Sequence, residues 1–223
     1  MNIQKLNRAE ALRYMGYRTT TPDKQVIGLI DECERELLSA IKPKYLYKFF
    51  EITHGDNFVF INGTSLVFKG ADICEHLKDC DHCVLLCATL SSEPDSLVRA
   101  YETVDMTKAL ITDCLASAAI EQVCYMAEAE IKSLLKDYNF TWRFSPGYGD
   151  FDIKIQSDFV KVLDAQKRIG LNVTDSSILV PRKSVTAVIG LSKGKISKGK
   201  RGCVCCNMRD RCEYIKRGER CEF

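Results

Sequence analysis

The sequence predicts an α+β protein, with a mainly antiparallel, twisted sheet packed with long helices and a small cysteine-rich C-terminal tail. Helical and β-rich segments alternate without the regular strand–helix–strand rhythm of a parallel sheet. The run "FVFINGTSLVF" (58–68) has two β-rich halves around Asn62-Gly63, which is a strong local hairpin signal. With 223 residues, 46% of them hydrophobic and 28% charged, the chain can bury one good core and carry a small appendage.

The remaining elements follow from hydrophobic spacing along the chain. In the segment 24–41, Val26, Cys33 and Leu37 recur at helical spacing on one face, and Pro43 ends the pattern. The Asn62-Gly63 dipeptide favours a two-residue type I′ turn between two strands. Further segments are predicted as a helix at 6–15, a short helix at 71–79, a buried strand at 82–90, a long helix at about 96–138 and two strands within 173–195.

Charge and cysteine usage exclude some classes of protein. The longest stretch without a formal charge is twelve residues (57–68), which is too short to span a bilayer. The N-terminal segment has no apolar signal-peptide core, so we expect a cytoplasmic protein. In that compartment the twelve cysteines are not a disulfide framework. The seven cysteines before the tail are interpreted mostly as small buried side chains.

One glutamate is unusual in the predicted long helix. Residues 108–131 contain six alanines, so another element can approach this helix closely. Glu121 has Ser117, Ala118 and Tyr125 as neighbours three or four residues away. A carboxylate on such a face needs a partner. Glu121 is therefore either half of a structural ion pair with an arginine or a ligand-binding group at the base of a pocket.

The segment "TWRFSPGYGD" (141–150) places Arg143 shortly before a Pro146-Gly147 turn. Proline fixes φ and glycine accepts a positive φ, so a plain surface β-turn explains the turn residues. Such a turn does not explain an arginine flanked by Trp142 and Phe144. A guanidinium can bind a carboxylate through two hydrogen bonds, so the alternative interpretation is a ligand-binding loop.

The C-terminal tail is basic and rich in cysteine. From Lys193 onward the net charge is +6, against −4 for the rest of the chain. A Gly/Lys/Ser linker (192–202) separates the tail (196–223) from the body (1–195). Free redox-labile thiols, an inert tail and a metal site all remain open. Four tail cysteines can surround zinc or an iron–sulfur cluster, with Cys205 spare; they are Cys203, Cys206, Cys212 and Cys221.

Three parts of the body resemble the reactivation (activation) domain of cobalamin-dependent methionine synthase, in its small stand-alone form. The pattern from Lys108 to Glu121 is similar to the long central helix of that family. The loop Arg143…Pro146-Gly147-Tyr148 fits its Arg-x-x-Pro-Gly-Tyr motif. The segment "LNVTDSSILVPRKSVTAVIG" (171–190) is similar to its strand pair. The resemblance covers residues 1–195 and says little about the tail.

The resemblance implies a binding site for S-adenosylmethionine (AdoMet). In the family, the arginine and the loop backbone hold the methionine portion of the ligand. Carried over, this implies roles for Arg143, for the backbone around Ser145 and Gly147, and for Glu121, with Tyr148 at the edge of the cofactor face. The chain departs from the family at 149–152, where Gly-Asp-Phe-Asp replaces Pro-Ala-Cys-Pro.

The implied function is a reactivation factor that supports reductive methylation of the cobalamin of a partner. The partner would be a methionine synthase chain or another corrinoid protein, and a separate electron donor would be needed. The chain would be a component of that activity rather than a self-contained catalyst. The alternative is a metal-binding interaction or regulatory protein that retains the fold without methyl-donor activity. The hypothesis of a nucleic-acid-binding protein is supported by the basic tail alone, and it ranks last of the three.

Overall fold

The computed structural model describes residues 3–17, 20–197 and 209–216, and it alternates helices and strands along the chain. The helices are α1 (Arg8–Tyr14), α2 (Lys24–Ala40), α3 (Ala71–Leu77), α4 (Glu93–Val104), α5 (Met106–Leu134), α6 (Gln156–Leu163), α7 (Ala165–Ile169) and α8 (Glu213–Lys216). The strands are β1 (Lys44–His54), β2 (Phe58–Ile61), β3 (Val67–Lys69), β4 (His82–Thr89), β5 (Asn139–Phe140), β6 (Asn172–Val173), β7 (Leu179–Val180) and β8 (Ser184–Ser192).

The main sheet has six strands in the order β3-β2-β1-β4-β8-β5. The strand pairs at its two ends are antiparallel, and β6 and β7 form a separate antiparallel hairpin. The central strand β4 is buried along almost its whole length, as its apolar sequence predicts. The predicted α+β class with an antiparallel sheet is confirmed.

The chain forms two compact units. The first unit contains Met1–Leu46, Cys87–Leu134 and Leu163–Val185, and the second contains Tyr47–Leu86, Leu135–Val162 and Thr186–Phe223. The division passes within β1, β4 and β8, so neither unit is a continuous segment of sequence. The boundary between a body (1–195) and a tail (196–223) stays a prediction, because most of the tail lies outside the described residues.

The core of the first unit is organised around α5, which packs on α1, α2 and α4. Its side chains are buried around most of the helix, including Ala116, Ala118 and Ala119. Small side chains let the neighbouring helices come close, as the alanine content predicts. The core also contains Ile30, Cys33, Leu37, Leu90, Leu115, Val123 and Cys124.

The core of the second unit is aromatic. Phe68 on β3 lies 5.0 Å from Phe151 and 6.3 Å from Phe159 on α6, measured between ring centroids. All three rings are fully buried, and the edge-to-face arrangement of Phe68 and Phe151 is a favoured one. Phe151 lies four residues after Gly147 of the Pro-Gly turn, so this cluster connects that loop to the sheet.

The predicted long helix at 96–138 is wrong in one respect, because Asp105 divides it into α4 and α5. Asp105 has an extended backbone with φ −155°. Its Oδ1 accepts hydrogen bonds from the N–H groups of Thr107 (3.0 Å) and Lys108 (3.1 Å). Aspartate is more favourable at a helix cap than in a helix interior. The break was not predicted because the apolar periodicity continues on both sides of Asp105.

The predicted hairpin at 58–68 is confirmed, but its predicted two-residue turn is wrong. Phe60 pairs with Val67, so the connection between β2 and β3 is longer. The Thr64 hydroxyl donates to the Ile61 carbonyl (2.8 Å) and accepts from the Leu66 N–H (3.0 Å). These side-chain bonds stabilise a wider turn that the Asn-Gly signal alone does not reveal.

Helix α5 is long and apolar enough, by length and composition, to cross a membrane, and it is the one such helix among the described residues. However, 61% of its most apolar 18-residue window is buried inside the protein. That burial is what a core helix shows, and α5 provides the core of the first unit.

We expect Asp105→Ala to destabilise the protein by about 1 kcal/mol, the usual effect of losing an N-cap side chain. The mutation removes the acceptor for Thr107 and Lys108 at the start of α5. Urea denaturation measures the change, and Asp105→Asn, which retains a capping oxygen, should recover most of it. An alanine variant as stable as the wild type would show that the cap is dispensable.

Candidate ligand-binding site

The Pro-Gly segment of the loop forms a β-turn closed by a hydrogen bond from the Tyr148 N–H to the Ser145 carbonyl (3.1 Å). Pro146 occupies the second position, and Gly147 at the third has φ +93°, as a type II turn requires. The Gly147 N–H donates to the Phe151 carbonyl at 2.8 Å. Because both N–H groups are used inside the loop, a ligand at this turn would meet carbonyl oxygens instead.

The strand-like start of the loop is anchored to β8. Phe144 and Val188 exchange backbone hydrogen bonds of 2.9 and 2.8 Å. Thr141 bonds Gly190 twice, through its backbone N–H (2.9 Å) and its Oγ1 (2.8 Å). Arg143 lies between these two anchor points, so β8 fixes its backbone position.

An aromatic cluster supports the same residues. His76 on α3 lies 4.8 Å from the ring centroids of Trp142 and of Phe144. Its Nε2 is 2.9 Å from the Thr141 hydroxyl. Burial lowers the pKa of His76 to about 4, although a backbone hydrogen bond involving Trp142 opposes that effect. His76 is therefore neutral at physiological pH.

The segment that departs from the family motif has a structural role of its own. The Asp150 carboxylate accepts hydrogen bonds from the N–H groups of Ala71 (2.6 Å) and Asp72 (3.0 Å). It thereby caps the N-terminus of α3, where Gly70 has no side chain to do so. A Cβ at Gly149 would lie 2.0 Å from the Asp72 carboxylate, so the close approach requires glycine.

The remaining loop residues are accessible in part. Pro146 is buried, Arg143 and Ser145 are half-buried, and Gly147 is exposed. The Tyr148 side chain is 44% exposed, with its ring 5.9 Å from that of Phe144. The Tyr148 side chain and the backbone of the turn are therefore exposed at the surface of the second unit, and the residues before the turn are anchored to β8.

Glu121 lines a cleft of about 470 Å³ in the first unit. It is half-buried on α5, in line with Asp113 and Ser117 at a spacing of four residues. Tyr14 also faces the cleft, and burial, the Glu10 carboxylate and then Glu121 raise the pKa of its phenol. The rest of the lining consists of Cys114, Ile120, Arg182, Lys183 and Ser184.

The charges of the cleft are partly neutralised within it. The Lys183 ammonium lies 2.7 Å from the Asp113 carboxylate and donates to the Ser117 hydroxyl at 2.9 Å. Only 13% of the Lys183 side chain is exposed. Arg182 is exposed, and its backbone N–H donates to the Asp95 carboxylate at 2.7 Å. Arg182 and the half-buried Glu121 complete the charged part of the lining.

The structure thus places the predicted residues in two groups. Arg143, Ser145, Gly147 and Tyr148 belong to one loop of the second unit, whereas Glu121 belongs to the cleft of the first unit.

Sequence reasoning missed the cationic side of the cleft. In the sequence, Arg182 and Lys183 are notable only as part of the segment that resembles a strand pair. The row Asp113, Ser117 and Glu121 was a usable signal, because polar residues at a spacing of four on an otherwise apolar helix share one face.

The predicted metal site lies mainly outside the described residues. Of its four cysteines, Cys212 is described, as a half-buried free thiol, whereas Cys203, Cys206 and Cys221 are not. Within residues 3–17, 20–197 and 209–216, no group of three or more His, Cys, Asp or Glu side chains is arranged to hold a metal ion. Most of the body cysteines are buried as predicted, including Cys83 and Cys87.

Comparison with known structures places the fold in a recognised class. No family model matches the sequence, and no curated protein sequence matches it. The fold is nevertheless similar to that of a reactivation domain. A crystal structure of the MetH reactivation domain bound to AdoHcy superposes with a TM-score of 0.64 at 13% sequence identity. The similarity covers 96% of this chain and 82% of that one. At this identity the similarity establishes the fold and leaves the function to be tested.

The low pKa of His76 predicts a pH-dependent stability. Below pH 6.5 the unfolded chain protonates this imidazole, whereas the folded chain does so only near pH 4. Stability should therefore rise as the pH increases between these values, by about 2 kcal/mol from pH 5 to pH 7. Urea denaturation at both values measures the change. His76→Gln should flatten the dependence by that amount, and an unchanged slope would contradict the prediction.

Proposed function

We propose that this chain binds AdoMet and serves as a reactivation factor for the cobalamin of a partner methionine synthase or another corrinoid methyltransferase. The observation that carries the proposal is the coincidence of a reactivation-domain fold with an Arg-x-x-Pro-Gly-Tyr loop at 143–148. AdoHcy, which the similar domain binds, is the demethylated form of AdoMet. Neither the fold nor the loop would carry the proposal without the other.

The residues that we assign to the donor divide by chemistry. The Arg143 guanidinium suits the carboxylate of the methionine portion, with which it can form two charge-assisted hydrogen bonds. The turn carbonyls around Ser145 and Gly147 can accept from an ammonium group. Glu121 is the proposed acidic contact for the positively charged portion of the donor. Tyr148, exposed beside the turn, is proposed to face the cobalamin of the partner.

The role of the chain in the reaction is to position the donor. The cobalamin of the partner, reduced by one electron from a separate donor, would supply the nucleophile. The methyl group of AdoMet would form its new bond to that acceptor while its bond to sulfur breaks, and the electrons of the broken bond would stay on sulfur to give AdoHcy. Holding the donor against the acceptor makes the transfer effectively intramolecular, which is a large part of catalysis in such systems. We expect this to take place in the cytoplasm.

Calorimetry with AdoMet tests the proposal directly. We expect the wild type to bind AdoMet and Arg143→Ala to weaken binding by about 1.5–3 kcal/mol, the usual contribution of a hydrogen bond to a charged group. Arg143→Lys should recover only part of the loss, because an ammonium lacks the planar fork. Unchanged affinity in a folded Arg143→Ala protein would remove this residue from the site.

The same titrations distinguish the two interpretations of Glu121. If Glu121 contacts the donor, Glu121→Gln lowers affinity more than it lowers the melting temperature. A structural ion pair would give the reverse result. Glu102→Gln, an exposed glutamate on α4, is the matched control and should change neither quantity.

We further propose that the tail holds zinc or an iron–sulfur cluster on Cys203, Cys206, Cys212 and Cys221. We favour the cluster because reactivation consumes an electron. Anaerobically purified protein should contain bound metal, and a cluster would absorb in the visible and bleach on reduction. Cys206→Ala should lose the metal and Cys205→Ala should keep it. Less than about 0.1 equivalent of iron and zinc together would contradict the proposal.

Removing residues 201–223 tests whether the tail is separate from the body. The truncated protein should lose the metal and bind AdoMet as the wild type does. Loss of both properties would mean that the boundary at 196 is wrong.

A further inference from the structure

In the second unit, strands β1, β2 and β3 have one buried face and one exposed face. Val59 and Phe68 point to the buried face, whereas Phe60 points to the other face and is 42% exposed. Phe60 pairs with Thr53 on β1, and Phe49 lies four residues before Thr53 on that strand. Phe49 therefore shares the exposed face, and it is 41% exposed. Large exposed rings on one face of a sheet indicate a binding surface.

Two aromatic groups lie on this exposed face, and the first is centred on Phe60. The ring of Phe60 lies 4.8 Å from that of Phe58, measured between centroids. Phe58 pairs with Lys69 on β3, which places this exposed lysine on the same face as the two rings. The first group is therefore an exposed ring with a cation beside it.

The second group is centred on Phe49 and has the same composition. The Phe49 ring stacks on His82 at 4.7 Å and lies 5.9 Å from the Tyr138 ring. The ammonium of the exposed Lys193 lies 5.6 Å from the centre of the Tyr138 ring, within the range of a cation–π contact. Four residues of β1 separate Phe49 from the strand position beside Phe60, which is about 13 Å.

We infer that this aromatic face, formed by the Phe60 and Phe49 groups, binds single-stranded RNA. Bases would stack on the exposed rings of Phe49 and Phe60, and phosphates would lie beside Lys69 and Lys193. A single strand repeats an apolar base and an anionic phosphate. The aromatic face repeats an exposed ring and a lysine, so the two patterns are complementary in both polarity and charge.

The polar residues between the rings favour a nucleic acid over an apolar protein surface. Thr53 and Glu51 are exposed, and they lie on the same face because residues two apart on a strand point the same way. They interrupt the apolar area that a protein partner would need to cover. The basic tail, which alone suggested nucleic-acid binding in the sequence, begins at Lys193 and carries a net charge of +6.

The shape of the surface favours an unpaired strand. Paired bases are stacked inside a duplex, so rings on the face of a sheet can stack only on bases that are unpaired. RNA is recognised mostly through such unpaired segments, which side chains of a sheet face can reach. This inference goes beyond the proposed function and does not depend on it, because its residues belong neither to the Arg143 loop nor to the cleft.

Fluorescence anisotropy with a labelled oligouridine of about 12 nucleotides tests the stacking. We expect Phe60→Ala to weaken binding by a factor of about 5 or more, the usual effect of losing one stacking ring. Phe60→Tyr keeps a ring and should bind as the wild type does. Val104→Ala removes an exposed apolar side chain of α4, outside the aromatic face, and is the matched control that should change nothing.

The salt dependence of binding tests the lysines. Each phosphate neutralised on a single strand contributes about 0.7 to the slope of log affinity against log salt concentration. Lys69→Gln and Lys193→Gln should each reduce the magnitude of the slope by about that amount. Lys48→Gln should not, because Lys48 points to the other side of β1 and donates to the Val162 carbonyl at 3.1 Å. Glu51→Gln should strengthen binding, since it removes a repulsion of phosphate.

The possible outcomes either support or overturn the inference. A wild type that does not bind oligouridine at about 100 µM overturns it. Full affinity in a folded Phe60→Ala protein, or equal affinity for an RNA duplex of the same length, would mean that charge alone attracts the nucleic acid, and either result overturns the stacking. Tighter binding of oligothymidine would overturn the choice of RNA. Affinity for AdoMet should be unchanged in these variants, so the proposed function and this inference can fail separately.

Discussion

Close packing around α5 is the constraint on which the first unit depends. A helix buried on most sides must be apolar on most sides, and small side chains let α1, α2 and α4 approach it. Among the buried positions of α5, Thr112 is the one polar residue and none is charged. Asp113, Ser117 and Glu121 are half-buried, and they line the cleft. The same requirement that builds the core thus determines which side chains a ligand can meet.

The departure from the family motif after Tyr148 is resolved by the second unit itself. Two prolines would stiffen the chain by fixing φ. Asp150 and Phe151 fix it by other means, since the carboxylate caps α3 and the ring packs against Phe68. His76 on the same helix contacts the residues before the turn. Helix α3 therefore supports the loop on both sides of Pro146 and Gly147.

Much of the fold could be predicted because the apolar patterns are strong. The buried strand β4 and the amphipathic helix α2 lie within a residue or two of their predicted bounds. The errors arise where one polar side chain competes with periodicity. Asp105 caps α5 and so divides a predicted helix, and Thr64 widens a predicted turn. The spacing of apolar residues along the chain does not indicate either of these side-chain hydrogen bonds.

The site was predictable only in part, for a related reason. The turn at Pro146 and Gly147 is a local feature, and its sequence specifies it. The cleft is a tertiary feature that brings Arg182 and Lys183 beside a helix about sixty residues earlier in the chain. Glu121 could be singled out as an unusual residue, because a carboxylate on an apolar helix needs a reason. The residues that lie beside Glu121 in the cleft could not be derived, since no local pattern in the sequence indicates which distant segment packs next to α5.

Two titratable side chains of the cleft are held in their neutral forms. Burial raises the pKa of the Cys114 thiol, and burial together with Glu10 raises that of the Tyr14 phenol, so neither is an anion at neutral pH. The Lys183 ammonium is paired with the Asp113 carboxylate. Elsewhere in the described residues, burial raises the pKa of Cys80 to about 12. The side chains are thus held in the states that form hydrogen bonds and ion pairs, and none of these groups is activated as a nucleophile.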